Sequence, residues 1–146
     1  LPKGVDTVKH NIMFVDDSIS VLESLQWVFK DEPYYLFAFD NPFDALRVIK
    51  TLEWAVVVVE RNMPNLDGLK FLKMVRQSSP HTMGIIMADY TETKEVLGKL
   101  YPDCVYQVVK KPFDNTQIRK AVKKAVENYE INAETKRHEF LNLETF

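Results

Sequence analysis

Three acids and one lysine stand where this chain could do chemistry. Asp16 and Asp17 follow the apolar run Ile12-Met13-Phe14-Val15, Glu60 follows four consecutive valines (Val56 to Val59), and Lys111 follows Val108-Val109-Lys110. Taken singly, each acid reads as readily as a helix cap or a solvated loop residue. Their joint placement at the ends of apolar runs supports a functional reading. Carboxylates gathered in one small volume repel each other unless a cation or a lysine sits among them. That is the chemistry of a hard-metal site that keeps its waters and meets a phosphoryl group.

The elements that would position these groups are legible from periodicity. Ile12 to Val15 reads as a buried parallel strand ending in a polar loop. From Ser18 the period changes: Ile19, Leu22, Leu25, Val28 and Phe29 form the stripe of an amphipathic helix capped by Ser18 or Asp17. Tyr34 to Phe39 is a second strand, and Asn41-Pro42 opens a helix carrying Phe43, Ala45, Leu46, Val48 and Ile49. Trp54 to Val59 is the strongest strand signal, because its valines are β-branched and suit a sheet covered on both faces. A loop with Pro64 and Gly68 leads to a helix with Leu69, Leu72 and Met74-Val75, closed by Ser78-Ser79-Pro80. Gly84 to Met87 is a fourth strand, Thr91 to Leu100 a weakly amphipathic helix and Val105 to Val109 a fifth strand. Asp114, with Gln117 three residues on, caps a last helix.

Five strands alternating with five helices at βαβ spacing predict an α/β fold: an open parallel sheet with helices on both faces. In such a sheet the site lies outside the carboxyl ends of the strands, where Asp16, Asp17, Glu60 and Lys111 all fall.

Composition narrows the classes. The 146 residues are 46% hydrophobic and 27% charged, as in an ordinary globular domain, and suit one domain with a real core. A formal net charge of -2 gives no basic field for nucleic acid, so direct nucleic-acid binding is not expected. The single cysteine, Cys104, excludes an intrachain disulfide and reads as a buried, inert thiol. No apolar run approaches membrane-spanning length and no signal-peptide pattern opens the sequence, so a cytoplasmic location and no membrane contact are expected.

Three motifs in order carry a resemblance: the acidic pair Asp16-Asp17, the loop Asn62-Met63-Pro64-Asn65-Leu66-Asp67-Gly68, and Lys111-Pro112-Phe113. Over roughly residues 9 to 126 the chain resembles a receiver domain of the bacterial two-component response-regulator family. The resemblance implies the flavodoxin-like receiver topology, with strand order 2-1-3-4-5. It also implies departures at three positions. The family's phosphoryl-accepting aspartate falls on Glu60, its threonine or serine on Ala88 and its switch aromatic on Val108, while the lysine is retained as Lys111.

These departures have physical consequences. Glutamate carries its carboxylate about 1.3 Å further out on an unchanged backbone, and in-line phosphoryl transfer tolerates such errors poorly. Ala88 cannot donate a hydrogen bond to a phosphoryl oxygen, and Val108 offers no aromatic ring to swing. An engineered mimic is usually a single change, so the concurrent Ala88 argues for natural decay of the switch. The expectation is therefore a degenerate, non-enzymatic receiver that signals by protein–protein contact or a fixed conformation. The rival is a receiver that still takes a phosphoryl group from a histidine kinase with Mg2+, using Glu60. An unrelated phosphohydrolase of similar topology is disfavoured, since Ser18 and Asn62 stand where a second acid would be needed. Asp16, Asp17 and Glu60 are expected to bind Mg2+ only weakly, millimolar or worse, with Lys111 pairing Glu60.

The expected partners are an attached output domain or another signalling protein, a histidine kinase among them, with a homodimer as a further expectation. In the family the contact face combines the helix over 91–100, the fifth strand and the last helix. Here that face would carry Lys94, Leu97, Leu100, Tyr101, Tyr106, Arg119 and Lys123. Residues 127–146 read as a helical extension or linker towards an output domain. Val122, Val126, Tyr129, Ala133, Lys136, Phe140 and Leu143 follow a heptad, although Lys136 and Ala133 suit a coiled-coil seam poorly.

Overall fold

In the computed structural model the described residues are 8–89, 91–93, 95, 97, 99 and 103–144, with side chains followed to residue 141. The strands are β1 (His10–Val15), β2 (Tyr34–Phe39), β3 (Val56–Glu60), β4 (Met83–Ala88) and β5 (Gln107–Lys110). The helices complete among the described residues are α1 (Ile19–Val28), α2 (Pro42–Val48), α3 (Gly68–Ser78) and α4 (Asn115–Glu144). Lys94, Leu100 and Tyr101, and with them much of the helix expected over 91–100, lie outside the described residues.

All pairings are parallel, and the sheet runs β2-β1-β3-β4-β5 as the resemblance implied. Successive strand side chains alternate between two covered faces. Ile12, Phe14, Val56, Val58, Ile85 and Met87 meet α1 and α4 on one face. Met13, Val15, Val57, Val59 and Ile86 meet α2 and α3 on the other. This double burial explains why β1 and β3 read as continuous apolar runs rather than alternating ones.

Local signals set the helix starts. The Ser18 hydroxyl accepts from Val21 N and the Asn41 side chain from Phe43 N, with Pro42 in the first turn. Asp114 accepts from Thr116 N at 2.7 Å and from Gln117 N at 3.4 Å. Asp67, not foreseen as a cap, accepts from Leu69 N at 2.7 Å and opens α3.

Several expectations need correction. β3 begins at Val56 and β5 at Gln107, two residues later than the apolar runs suggested, although Ala55 N donates to Asn11 O, Ala55 O accepts from Met83 N and Tyr106 N donates to Gly84 O at the strand starts. Ile19, Phe43 and Met74 are exposed, so the covered stripes are narrower than the apolar pattern suggested. Leu97, placed on the contact face, is buried in the core instead. Cys104 is half-buried rather than enclosed, and burial pushes its thiol up.

The last helix is continuous through Glu144, about 45 Å of rise for its 30 residues. Its first half is part of the domain: Ile118, Val122, Ala125 and Val126 are buried. Tyr129 packs edge-on to His10 at 5.8 Å, and Glu130 pairs with His10 at 3.4 Å. The heptad's leading positions, Val122, Val126 and Tyr129, are thus spent on the domain's own core. Beyond them Ile131, Phe140 and Leu141 are exposed.

Candidate functional site

The carboxyl ends of the central strands bring the chemistry-bearing residues together. Val15 pairs with Val59 and Glu60 with Met87, so the residues following β1 and ending β3 share one edge of the sheet. Ala88 ends β4 beside Lys110, and Lys111 N donates to Ala88 O at 2.8 Å. The Lys111–Pro112 peptide is cis.

Asp16 is 1% exposed, the one buried charged or polar residue among those described. A carboxylate so placed needs partners, and it has them. Oδ1 accepts from Ser18 N at 2.9 Å, and Oδ2 accepts from Lys111 Nζ at 2.7 Å. Lys111 Nζ also lies 3.3 Å from Glu60 Oε1. The other Glu60 oxygen accepts from Arg61 N at 2.9 Å. The longer side chain thus folds back, and both of its oxygens are engaged inside the strand-end cluster. Burial pushes the Glu60 carboxyl above its usual range; Lys111 pulls it down, and Asp16 adds a smaller upward push.

The expected pairing of Glu60 with Lys111 is present, and the closer contact of Lys111 with Asp16 was not foreseen. Asp17 is exposed and does not share in that pairing. Among the described residues no three acids, histidines or cysteines converge as a metal-ligand set. The Lys111 ammonium lies against both Asp16 and Glu60, so a cation at these carboxylates would have to displace it. Val108 is half-buried against the α2–α3 face of the core.

Arg61, not singled out from the sequence, joins the strand-end cluster to two further segments. Its guanidinium bonds Asp67, the cap of α3, and its Nε donates to Glu92 Oε2 at 2.9 Å. Its backbone N–H donates to Met87 O and its carbonyl accepts from Gly68 N. The available signal was an arginine six residues before an aspartate in one loop. Gly68 is needed for close approach: a Cβ there would collide with the Glu60 carbonyl oxygen.

Of the proposed contact face, Tyr106 is half-buried and accepts from Asn128 Nδ2 at 2.8 Å, Arg119 is half-buried, and Lys123 is exposed. No described helix is long and apolar enough to cross a membrane.

Comparison with known proteins accords with this geometry. The chain is 27% identical over 129 residues to the hydrogenase transcriptional regulatory protein HoxA of Bradyrhizobium diazoefficiens, covering 88% of this chain and 26% of that protein. It is 29% identical over 117 residues to sporulation initiation phosphotransferase F of Bacillus subtilis, covering 80% and 94%. It thus spans about a quarter of HoxA but nearly all of the smaller relative. The solved beryllofluoride-activated NtrC4 receiver domain dimer superposes with TM-score 0.74 at 26% identity, covering 82% of this chain and 98% of that one. The chemotaxis protein CheY4 of Vibrio cholerae shares the fold, with TM-score 0.72 at 23% identity over 81% and 99%. Residues 12–123, which hold Asp16, Glu60, Ala88 and Lys111, match the response regulator receiver domain. By fold, by strand-end chemistry and by this match, the chain belongs to the response regulator receiver domain family.

Proposed function

We propose that this receiver domain has lost phosphoryl switching and acts through a fixed conformation or protein–protein contact. One observation carries the reading: Lys111 bridges Asp16 at 2.7 Å and Glu60 at 3.3 Å, so the groups that would meet a metal and a phosphoryl oxygen satisfy each other. Ala88 at the end of β4 adds to it, since it offers no hydroxyl to a phosphoryl oxygen. Mg2+ binding by Asp16, Asp17 and Glu60 requires displacing Lys111 and is therefore weak, millimolar or worse.

The domain covers residues 9–126, and 127–146 serve as a helical linker to an output domain or as a contact with a second copy. HoxA, of which this chain spans about a quarter, is a transcriptional regulatory protein by name, which supports an attached output domain. The receiver itself is non-enzymatic, works in the cytoplasm and binds neither membrane nor nucleic acid directly. Its partners are that output domain or another signalling protein, such as a histidine kinase.

The test is intact mass after incubation with Mg2+ and acetyl phosphate or a donor kinase. An unmodified chain is expected. A stoichiometric adduct of about 80 Da, absent in Glu60→Ala, overturns the reading in favour of a working acceptor.

A further inference from the structure

We infer that Arg61 is a built-in clamp that fixes the turn after β4 in one position, supplying by a permanent ion pair the tie that Ala88 cannot make to a phosphoryl group. The inference rests on the silenced-switch reading for its meaning, but its geometry is independent of it. Arg61 follows Glu60 at the end of β3, and its guanidinium reaches two segments at once. One is Asp67, whose carboxylate also caps α3; the other is Glu92, 31 residues along the chain, in the turn that follows β4.

That turn has its own weak order. Thr91 N and Oγ1 both donate to Asp89 Oδ1, and Glu92 N donates to Asp89 O at 3.3 Å. Asp89 and Thr91 are exposed, so these bonds compete with water. The Arg61 and Glu92 side chains are only 19% and 21% exposed, which shields their pairing from water and salt. Arg61 is also tied through its backbone, since its N–H donates to Met87 O at 2.8 Å. A planar guanidinium held at its base in this way binds both carboxylates without much loss of side-chain freedom. Arg61 is a positioning residue, acting on the turn through Glu92.

The experiment is amide exchange on the 146-residue chain, with no phosphodonor and no added metal. Arg61→Gln and Glu92→Gln should each speed exchange at the Thr91, Glu92 and Leu97 amides about five- to tenfold, while β1 and β3 stay protected. The double variant should go no further than the stronger single one, and Arg61→Lys should fall between wild type and Arg61→Gln. Glu92→Gln breaks the pair without touching the α3 cap, so it decides the matter if Arg61→Gln unfolds. Unchanged exchange in Glu92→Gln, or additive effects in the double variant, overturns the clamp and leaves the silenced switch standing. A phosphoryl adduct on Glu60 has the opposite consequence: it overturns the silenced switch and leaves the exchange result standing.

Discussion

The Lys111 ammonium and the Asp16 carboxylate, 95 residues apart in the chain, meet at 2.7 Å at the carboxyl edge of the sheet. The contact neutralises the one buried charged residue among those described and draws Lys111 between Asp16 and Glu60. The site is thereby closed on itself.

Removing the lysine should expose how much this contact matters. Lys111→Met leaves Asp16 buried with only the Ser18 amide as partner, and should lower stability by about 2–4 kcal/mol. Asp16→Asn should cost less, because no buried charge is stranded. Urea unfolding of both variants and the double variant gives the coupling; a Lys111→Met loss under about 0.5 kcal/mol would contradict the pairing.

Glu60 makes a pH prediction. Its folded pKa is raised above the usual 4.5, chiefly by burial, so its contribution favours folding below the unfolded value and is lost as pH rises through the folded value. Glu60→Gln carries no such ionisation. The stability of the Gln variant relative to wild type should therefore rise between about pH 4 and pH 7. Denaturation midpoints at the two pH values check the sign, and a relative fall would contradict the burial argument.

Gly68→Ala tests the close approach under β3. The added methyl would meet the Glu60 carbonyl oxygen, and backbone cannot move aside as a flexible side chain would. A loss of about 1–3 kcal/mol is expected from urea unfolding. A neutral outcome would show that the loop yields.

The tail gives a prediction about association. A chain ended at Glu130 keeps Tyr129 and Glu130 against His10 but removes the exposed Ile131, Phe140 and Leu141. The full chain should self-associate modestly up to about 100 μM in sedimentation, and the shortened one should stay monomeric. If both remain monomeric, pairing of tails fails and the linker role stands.

These outcomes bear on what a sequence can reveal. Burial on both faces makes β1 and β3 continuous apolar runs, and capping is local, so Ser18, Asn41 and Asp114 announce their helices. The acids and Lys111 were legible because strand ends mark one edge of a parallel sheet. The partner each side chain chooses was not. Lys111 prefers Asp16, and Arg61 reaches Glu92, because tertiary packing sets distances that spacing does not encode. Exposure of Ile19 and burial of Leu97 likewise depend on what covers each helix face.

The central claim, a strand-end site closed by its own lysine, meets its most direct test in an amide NMR titration with beryllofluoride and Mg2+. Beryllofluoride imitates a phosphoryl group on a carboxylate and needs no kinase. The account predicts no saturable shifts at Glu60, Ala88 or Lys111 in the wild-type chain. It predicts their appearance in Glu60→Asp/Ala88→Thr, where the acceptor is shortened and the hydroxyl restored. Saturable shifts at those three residues in the wild-type chain would contradict it.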